Sequence, residues 1–332
     1  MFGHRPDGKL VKSKNGLYLL IPHIMNKRVD SMNMAEFNVE LDYLDDFIKQ
    51  QKEETGVVYS YLEVLIAAIV RTIYLRPELN RFVVNRRIYE RDFVYYSMAI
   101  QKSLKTGVSN ETTLKFKLEG NESISSIKNI FEENVKQAKS SVNDVDKITT
   151  TLAAIPHFIL KFVINMLKLM DRWGILPMSV IDAQPFHTTF FITDLRSVKC
   201  ESIYHHVYEF GTTGLFFSTG PEKLEPYYDK EGNIAYKRVM PVKFVSDERF
   251  CDGFYFATSL RMLQKILRNP KVLINDLELR KRTPEEQKRH DKLIARDNKR
   301  RAKMDAKLAR DQEKLQKRRD KMAEKATKSE VE

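Results

Sequence analysis

The sequence predicts an α/β protein: a two-layer sandwich with a mixed, largely antiparallel sheet, helices on one face, and a charged C-terminal helix. Short apolar alternations typical of strands are interspersed with longer amphipathic segments typical of helices. The 332 residues are 42% hydrophobic, which is enough for a large core. Because the composition changes abruptly near Pro284, we expect an N-terminal extension (1–20), a main domain (21–280) and a charged helical tail (281–332).

The elements of the main domain follow from periodicity and from turn residues. Residues 37–41 alternate like a half-buried strand, and residues 59–74 form an amphipathic pattern that ends before Pro77. Residues 81–90 and 93–102 predict the two strands of one hairpin. The later predictions, in chain order, are a strand at 114–118, a helix from 123 to about 140, strands at 188–192 and 214–218, and a hairpin at 227–240.

Residues 152–170 form the most hydrophobic segment of the chain. His157, Lys161, Asn165 and Lys168 interrupt it, whereas a membrane span needs about 20 predominantly apolar residues. A buried or surface-packed amphipathic helix and an interfacial membrane helix both fit this pattern. We expect the first, and therefore no membrane contact through this segment.

The net charge of +12 is concentrated towards the C-terminus. Residues 283–332 hold 17 Lys and Arg against 11 Asp and Glu, and so carry half of the net charge. A solvated charged helix, a weak coiled coil or docking helix, and a phosphate-binding arm all remain open for this tail. Because the rest of the chain is only mildly basic, we expect no nucleic-acid contact.

The two cysteines, Cys200 and Cys251, do not have the spacing of a metal site or of a disulfide framework. We therefore expect no bound metal. The first residues also lack the apolar core and cleavage site of a secretory signal. Together these features predict a cytoplasmic protein.

Four short segments carry a family resemblance because they follow one another in a characteristic order. They are IMNKR (24–28), RPELNRF (76–82), FFITDL (190–195) and DERFCDG (247–253). In this order they resemble the catalytic domain of the 2-oxo acid dehydrogenase acyltransferases and the chloramphenicol acetyltransferases. The resemblance covers about residues 21–273.

The resemblance implies a homotrimer with active sites between subunits. It further implies a coenzyme A thioester as the co-substrate and a small-molecule acyl acceptor. In that scheme Thr193 stabilises the oxyanion, and Glu248 occupies the position of the family's catalytic histidine. Asp252 pairs with Arg28 to hold the loop, and Gly253 permits a tight turn into the last helix. The segment before residue 21 is too short for a lipoyl domain, so we expect a free-standing trimer.

Glu248 leaves two functions open. It can serve as an altered base, which predicts weak or altered acyl transfer. Alternatively, it can be an ion-paired loop residue beside Asp247 and Arg249, in a catalytically inactive trimeric scaffold or ligand- or partner-binding protein of the same fold. His205 or His206 can also replace the missing imidazole, although a hydrogen-bonded loop histidine is the simpler interpretation.

Overall fold

The computed structural model describes residues 5–12, 16–101, 111–140 and 155–329. The chain divides into two compact units, Met1–Glu278 and Leu279–Glu332.

The described residues of the first unit form a seven-stranded sheet and a three-stranded sheet. The strands are β1 (Lys9–Leu10), β2 (Met32–Glu40), β3 (Arg81–Val84), β4 (Arg87–Glu90), β5 (Val94–Gln101), β6 (Glu111–Leu118), β7 (Phe190–Asp194), β8 (Leu215–Thr219), β9 (Lys223–Tyr228) and β10 (Ile234–Asp247). The large sheet has the order β2-β10-β8-β7-β5-β6, with β9 also paired to β10. The pairs β5–β7 and β7–β8 are parallel and the others are antiparallel, so the predicted mixed, largely antiparallel sheet is confirmed.

The described residues of the first unit also form seven α-helices, and those that build the main core lie on one face of the large sheet, as predicted. The seven helices are α1 (Gly16–Ile24), α2 (Leu41–Thr55), α3 (Tyr61–Leu75), α4 (Ile124–Ser140), α5 (His157–Trp173), α6 (Met178–Ala183) and α7 (Gly253–Arg268). Alternate strand residues, such as Phe190, Ile192 and Phe217, join α2, α3 and α7 in one apolar core. The side chains between them point to the other face because strand residues alternate. There Phe191 and Phe216 pack with Val207 of the β7–β8 connection.

The predicted pairing of residues 81–90 with residues 93–102 is wrong. Residues 81–90 fold on themselves as the β3–β4 hairpin, which pairs with β1, whereas β5 pairs with β6. The cause is the two-residue turn at Asn85 and Arg86, whose φ angles of 48° and 60° suit a type I′ turn. Such a turn matches the twist of two flanking strands, so the segment reverses in its middle.

Most other predicted elements are confirmed within three residues. The exceptions are β2, which begins five residues before the strand predicted at 37–41, and the β9–β10 hairpin, which extends from Lys223 to Asp247, beyond the predicted 227–240. The hydrophobic segment forms α5 from His157 to Trp173, although residues 152–154 lie outside the described part of the chain. The hairpin of β9 and β10 turns at Gly232, whose φ is 86°. In the described part of the second unit, the charged helix α8 (Pro284–Ser329) confirms the predicted C-terminal helix. Thr283 and Glu286 cap its first turn reciprocally.

Candidate active site

The motif at residues 247–253 forms a corner between β10 and α7. Asp247 ends the strand, and Glu248–Phe250 make a short 3₁₀ turn. The helix then begins at Gly253, with Asp252 as its N-cap: the Tyr255 N–H donates to Asp252 Oδ1 at 2.7 Å. The corner is therefore fixed at both ends by carboxylates that accept backbone or side-chain hydrogen bonds.

Asp247 is the centre of a buried polar cluster beneath this corner. Its carboxylate accepts two hydrogen bonds from the Arg249 guanidinium, from Nε at 2.8 Å and from Nη2 at 2.7 Å. The Ser31 hydroxyl donates to it at 3.1 Å, and Arg28 Nε lies 3.7 Å from Oδ2. Because Asp247 and both arginines are buried, they compensate one another's charges away from water.

The predicted pair of Arg28 with Asp252 is wrong. Arg28 lies against Asp247 and also donates from Nη1 to the Tyr208 carbonyl at 2.7 Å. The strand register explains this, because β2 starts just after Arg28 and its Met32 is paired with Asp247. Burial lowers the pKa of Arg28, and the charge of Asp247 offsets part of this effect. Asp252 lies beyond the corner, where it caps α7 and accepts a hydrogen bond from the Tyr18 hydroxyl at 3.2 Å.

The conformational role expected for Gly253 is also wrong. Its φ is not positive, and a Cβ placed there would meet no atom within 4 Å. The glycine that packing requires in this region is Gly214, because a Cβ there would lie 2.7 Å from the ring of the fully buried Phe250. Gly214 precedes β8, so this contact locks the corner onto the sheet.

Glu248 is half-buried at the outer side of the corner. Its Oε2 accepts a hydrogen bond of 2.7 Å from the side-chain amide of Asn33 in β2. The ion pair of this loop joins Arg249 to Asp247 and does not include Glu248. A neutral amide orients the carboxylate without neutralising its charge. Because β2 is an edge strand of the large sheet, Glu248 lies where another chain can approach.

Cys251 does not have the features of a nucleophile. Burial raises the pKa of its thiol to about 12, so it is protonated at neutral pH. It belongs to the apolar core beside Phe250, as expected for a small buried hydrophobic residue.

Thr193 has the least committed hydroxyl among the threonines in and around β7 and β8. The other five donate or accept side-chain hydrogen bonds within the protomer: Thr188, Thr189, Thr212, Thr213 and Thr219. In the described part of the chain, the half-buried Thr193 hydroxyl has no such partner. It can therefore donate to a bound substrate without breaking an existing bond.

The residue after Thr193 is firmly held. Asp194 accepts two hydrogen bonds of 2.8 Å from the Arg196 guanidinium and a third of 2.8 Å from the Thr219 hydroxyl. Burial acts to raise the pKa of Asp194, but the hydrogen bonds and charge of Arg196 outweigh it and lower that pKa. The end of β7 is thus a fixed platform for the Thr193 side chain.

Thr193 and Glu248 lie far apart within one protomer. Thr193 is paired with Ser218, which is paired with Lys243, and Glu248 follows Lys243 by five residues. Five strand residues span about 17 Å and two strand spacings about 10 Å, so the two residues are about 20 Å apart. A small reacting group cannot contact both side chains of the same chain.

The two loop histidines lie on the sheet face opposite the helices. The His205 ring stacks on Phe216 with 4.0 Å between centroids, and His205 Nδ1 lies 2.8 Å from the His206 carbonyl oxygen. Burial lowers the pKa of His205. A ring that donates from Nδ1 to a carbonyl has its basic lone pair on Nε2. His205 therefore remains an alternative base.

His187 is excluded from the site by burial. Its Nε2 lies 3.2 Å from Asp171 Oδ1, in a buried cluster with Arg5 and Asp7. This cluster ties the N-terminal segment to α5.

Two contacts of the site were not predicted from the sequence. The Asn33 amide reaches Glu248 across the β2–β10 pair, and a lone asparagine in a strand gives no sequence signal of such a contact. The central position of Asp247 in the polar cluster does have a signal in the sequence, because Arg249 lies two residues away and its side chain can bend back to the carboxylate.

The described residues contain no cluster of His, Cys, Asp and Glu that could hold a metal ion. Within the same residues, no helix combines the length and apolarity required for a membrane span. A cavity between α3, α7 and the sheet is lined mainly by apolar core side chains, together with Thr72 and Ser259, and neither Thr193 nor Glu248 lines it.

No protein-family model and no curated protein matches the sequence. Similar solved structures include a probable dihydrolipoamide acetyltransferase from Listeria monocytogenes. The two sequences are 16% identical, the alignment covers 82% of this chain and 99% of that chain, and the TM-score is 0.47. The cubic core of the pyruvate dehydrogenase multienzyme complex has 12% identity, coverages of 80% and 95%, and a TM-score of 0.49. A chloramphenicol acetyltransferase has 12% identity, coverages of 78% and 99%, and a TM-score of 0.45. These solved structures come from the two acyltransferase groups that the four motifs resemble.

Proposed function

We propose that this protein transfers an acyl group from a coenzyme A thioester to a small thiol or alcohol, at sites that two copies of the chain form together. The observation that carries the proposal is the position of two half-buried polar side chains, Thr193 and Glu248, at opposite ends of one sheet. Among the described residues, the Thr193 hydroxyl has no side-chain hydrogen-bond partner at one end, and the Glu248 carboxylate is held only by the Asn33 amide at the other.

Thr193 supplies the hydrogen-bond donor of the proposed reaction. Attack on a thioester carbonyl places negative charge on its oxygen, and a fixed donor stabilises that charge in the transition state. One such donor typically contributes about 10²–10³-fold to the rate. The bonded Asp194 beside it keeps the donor in place.

Glu248 supplies the base. It accepts the proton of the acceptor thiol or alcohol while that atom attacks the carbonyl carbon, and the coenzyme A thiolate leaves. A positioned base typically contributes about 10²–10⁴-fold. Because a carboxylate is generally a weaker base than imidazole, we propose turnover slower than that of a histidine-based site.

The separation of about 20 Å requires that the two residues come from different chains. The resemblance implies a homotrimer, in which each interface brings Thr193 of one protomer to Glu248 of the next. The edge position of β2, next to Glu248, agrees with such an approach. Each trimer would then contain three equivalent sites.

The activity is tested by measuring the release of coenzyme A from short-chain acyl-coenzyme A thioesters. Small thiols and alcohols are supplied in turn as the acyl acceptor. We expect Thr193→Val and Glu248→Gln to lower kcat strongly, Thr193→Ser to retain it, and Glu231→Gln in the exposed β9–β10 turn to have no effect. His205→Gln separates the two candidate bases. If Glu248→Gln retains full turnover while His205→Gln loses it, the assignment of the base is wrong.

Mixing two inactive variants tests the shared site. Thr193→Val and Glu248→Gln chains are mixed in equal amounts and refolded. With random assembly, about a quarter of the interfaces contain both a native Thr193 and a native Glu248. We therefore expect recovery of about a quarter of the native activity. Absence of any recovery, from variants that still assemble, would contradict a site shared between chains.

A non-catalytic trimer is the second candidate, and the carboxylate at the histidine position favours it. This scaffold would bind coenzyme A or another ligand without turning it over. Calorimetry with coenzyme A distinguishes the candidates: binding without turnover in any assay supports the scaffold, and turnover that depends on Glu248 excludes it.

A further inference from the structure

Helix α5 exposes apolar side chains and buries a charged one. Of its 17 residues, Asp171 alone is buried, where it accepts a hydrogen bond of 2.7 Å from Arg5. Phe158 and Phe162, in contrast, are 73% and 68% exposed. A helix that only packs on a sheet buries its apolar face, so this arrangement indicates a second surface that α5 contacts.

The exposed apolar residues of α5 form one continuous stripe. At 100° per residue they occupy a sector roughly 100° wide. The stripe consists of Phe158, Ile159, Phe162, Met166, Leu169 and Trp173. It extends along the whole helix, and Trp173 lies at its C-terminal end. Aromatic residues at the end of such a stripe are typical of helices that lie in a membrane interface.

The cations of α5 lie together on one flank of this stripe. Lys161, Lys168 and Arg172 are exposed and fall within roughly 40° of one another around the helix axis. The single acid of the helix, Asp171, points inward and is compensated by Arg5. The outward surface of α5 is therefore apolar and cationic, without an acidic residue.

A second helix with exposed apolar side chains, α1, ends beside the β3–β4 turn, which also contacts α5. Leu17, Leu20 and Ile24 of α1 share one face at i, i+3 and i+7 and are exposed, and α1 contains no acid. The β3–β4 turn contacts both helices: Arg172 Nε donates to Asn85 Oδ1 at 3.3 Å, and Arg86 Nε donates to Asn26 Oδ1, just after α1, at 2.9 Å.

We propose that α5 and α1 together form a docking surface for an anionic phospholipid bilayer. The apolar side chains enter the boundary between headgroups and acyl chains, and the cations contact the lipid phosphates. The helices lie on the membrane and do not cross it. The charges that argued against a membrane in the sequence lie on one flank of the helix, where a bilayer surface accommodates them.

The charges favour a bilayer over a second copy of the chain as the occupant. In a contact between the α5 helices of two copies, the cationic flanks would lie against each other and repel, and the light-scattering outcome below tests any other contact between copies. An anionic surface complements Lys161, Lys168 and Arg172 directly. Docking through α5 is also compatible with the proposed catalytic contact, which uses the ends of β7 and β10.

Flotation with lipid vesicles tests the proposal on the full chain. We expect binding to vesicles of phosphatidylcholine with phosphatidylglycerol, weaker binding at high salt, and little binding to phosphatidylcholine alone. The triple change Lys161→Gln, Lys168→Gln and Arg172→Gln is expected to lower partitioning by about 100-fold. Phe158→Ser with Phe162→Ser is expected to lower it by at least about tenfold.

Matched control variants distinguish binding through the α5 surface from binding through exposed cations or aromatic rings elsewhere on the chain. Tyr228→Ser with Tyr236→Ser removes equally exposed aromatic rings from the β9–β10 hairpin. Lys299→Gln, Arg301→Gln and Lys303→Gln remove three cations from the tail. Both control proteins are expected to bind vesicles like the native chain.

The proposal is overturned if the native chain does not bind anionic vesicles, or if the tail variant loses binding as much as the α5 variant. It is also overturned if Phe158→Ser with Phe162→Ser changes the molar mass in light scattering, because α5 then contacts protein. Turnover of soluble acyl-coenzyme A should be unchanged in the α5 variants, so failure here and failure of the proposed enzyme activity are distinguishable.

Discussion

Replacing Asp247 by asparagine tests how the corner beneath Glu248 is held. The change removes the negative charge that two buried arginines share: Arg249, at 2.7 and 2.8 Å, and Arg28, at 3.7 Å. Breaking a buried ion pair by removing one partner typically costs about 3–5 kcal/mol. For a unit of this size, that loss lowers Tm by about 10 °C.

Asp252→Asn is the matched control. Asp252 caps α7 and accepts from Tyr18, and asparagine is an equally good N-cap, so we expect a loss below about 1 kcal/mol. Urea unfolding followed by circular dichroism measures both variants. If Asp252→Asn is the more destabilising change, Arg28 depends on Asp252 and the cluster around Asp247 is misassigned.

Three further predictions concern packing, acid stability and thiol chemistry. Gly214→Ala should lower the free energy of unfolding by about 1–3 kcal/mol, because its Cβ would overlap the Phe250 ring; Phe250→Leu in the same chain should recover part of the loss in urea unfolding. Burial lowers the pKa of His187 against the opposing charge of Asp171, so the unfolded chain binds more protons at this site. Its contribution to stability is therefore present above about pH 6.5 and is lost as the pH falls below it; His187→Gln should flatten that part of the curve of Tm against pH. Iodoacetamide at pH 8 should alkylate the exposed Cys200 and leave Cys251 unmodified, as peptide mass spectrometry will show, because burial raises the pKa of Cys251 to about 12.

The fold class could be predicted because local patterns and turn residues agree with the final structure. The 3.6-residue periodicity of α3 and the turn at Gly232 were readable directly. The β3–β4 hairpin was not recognised because its turn residues, Asn85 and Arg86, are not the Asn-Gly pair that usually marks a type I′ turn. An arginine with positive φ has no clear sequence signature.

The motifs point to Thr193 and Glu248 as candidate site residues, and these assignments stay predictions. The pairing of Arg28 with Asp252, which the family resemblance implies, is wrong. Which carboxylate Arg28 reaches depends on the register of β2 against β10, which places Asp247 opposite Met32. Register is a long-range property that local patterns do not encode.

The outward apolar stripe of α5 illustrates a second limit of sequence patterns. Hydrophobic periodicity identifies an amphipathic helix but does not determine which face the protein covers. The buried pair of Asp171 with Arg5, two residues 166 positions apart, holds the polar side of the helix inward. This pairing became visible only in the folded chain.

Cross-linking tests the central claim, that Thr193 of one chain meets Glu248 of another. Chains with Cys200→Ser and either Thr193→Cys or Glu248→Cys are mixed, refolded and treated with a bis-maleimide that spans about 8 Å, well below the intrachain separation of about 20 Å. We predict a covalent product that contains one chain of each variant and is absent when either variant is treated alone. A chain that carries both cysteines and cross-links only within itself, or no cross-link in an assembled oligomer, would contradict the shared site.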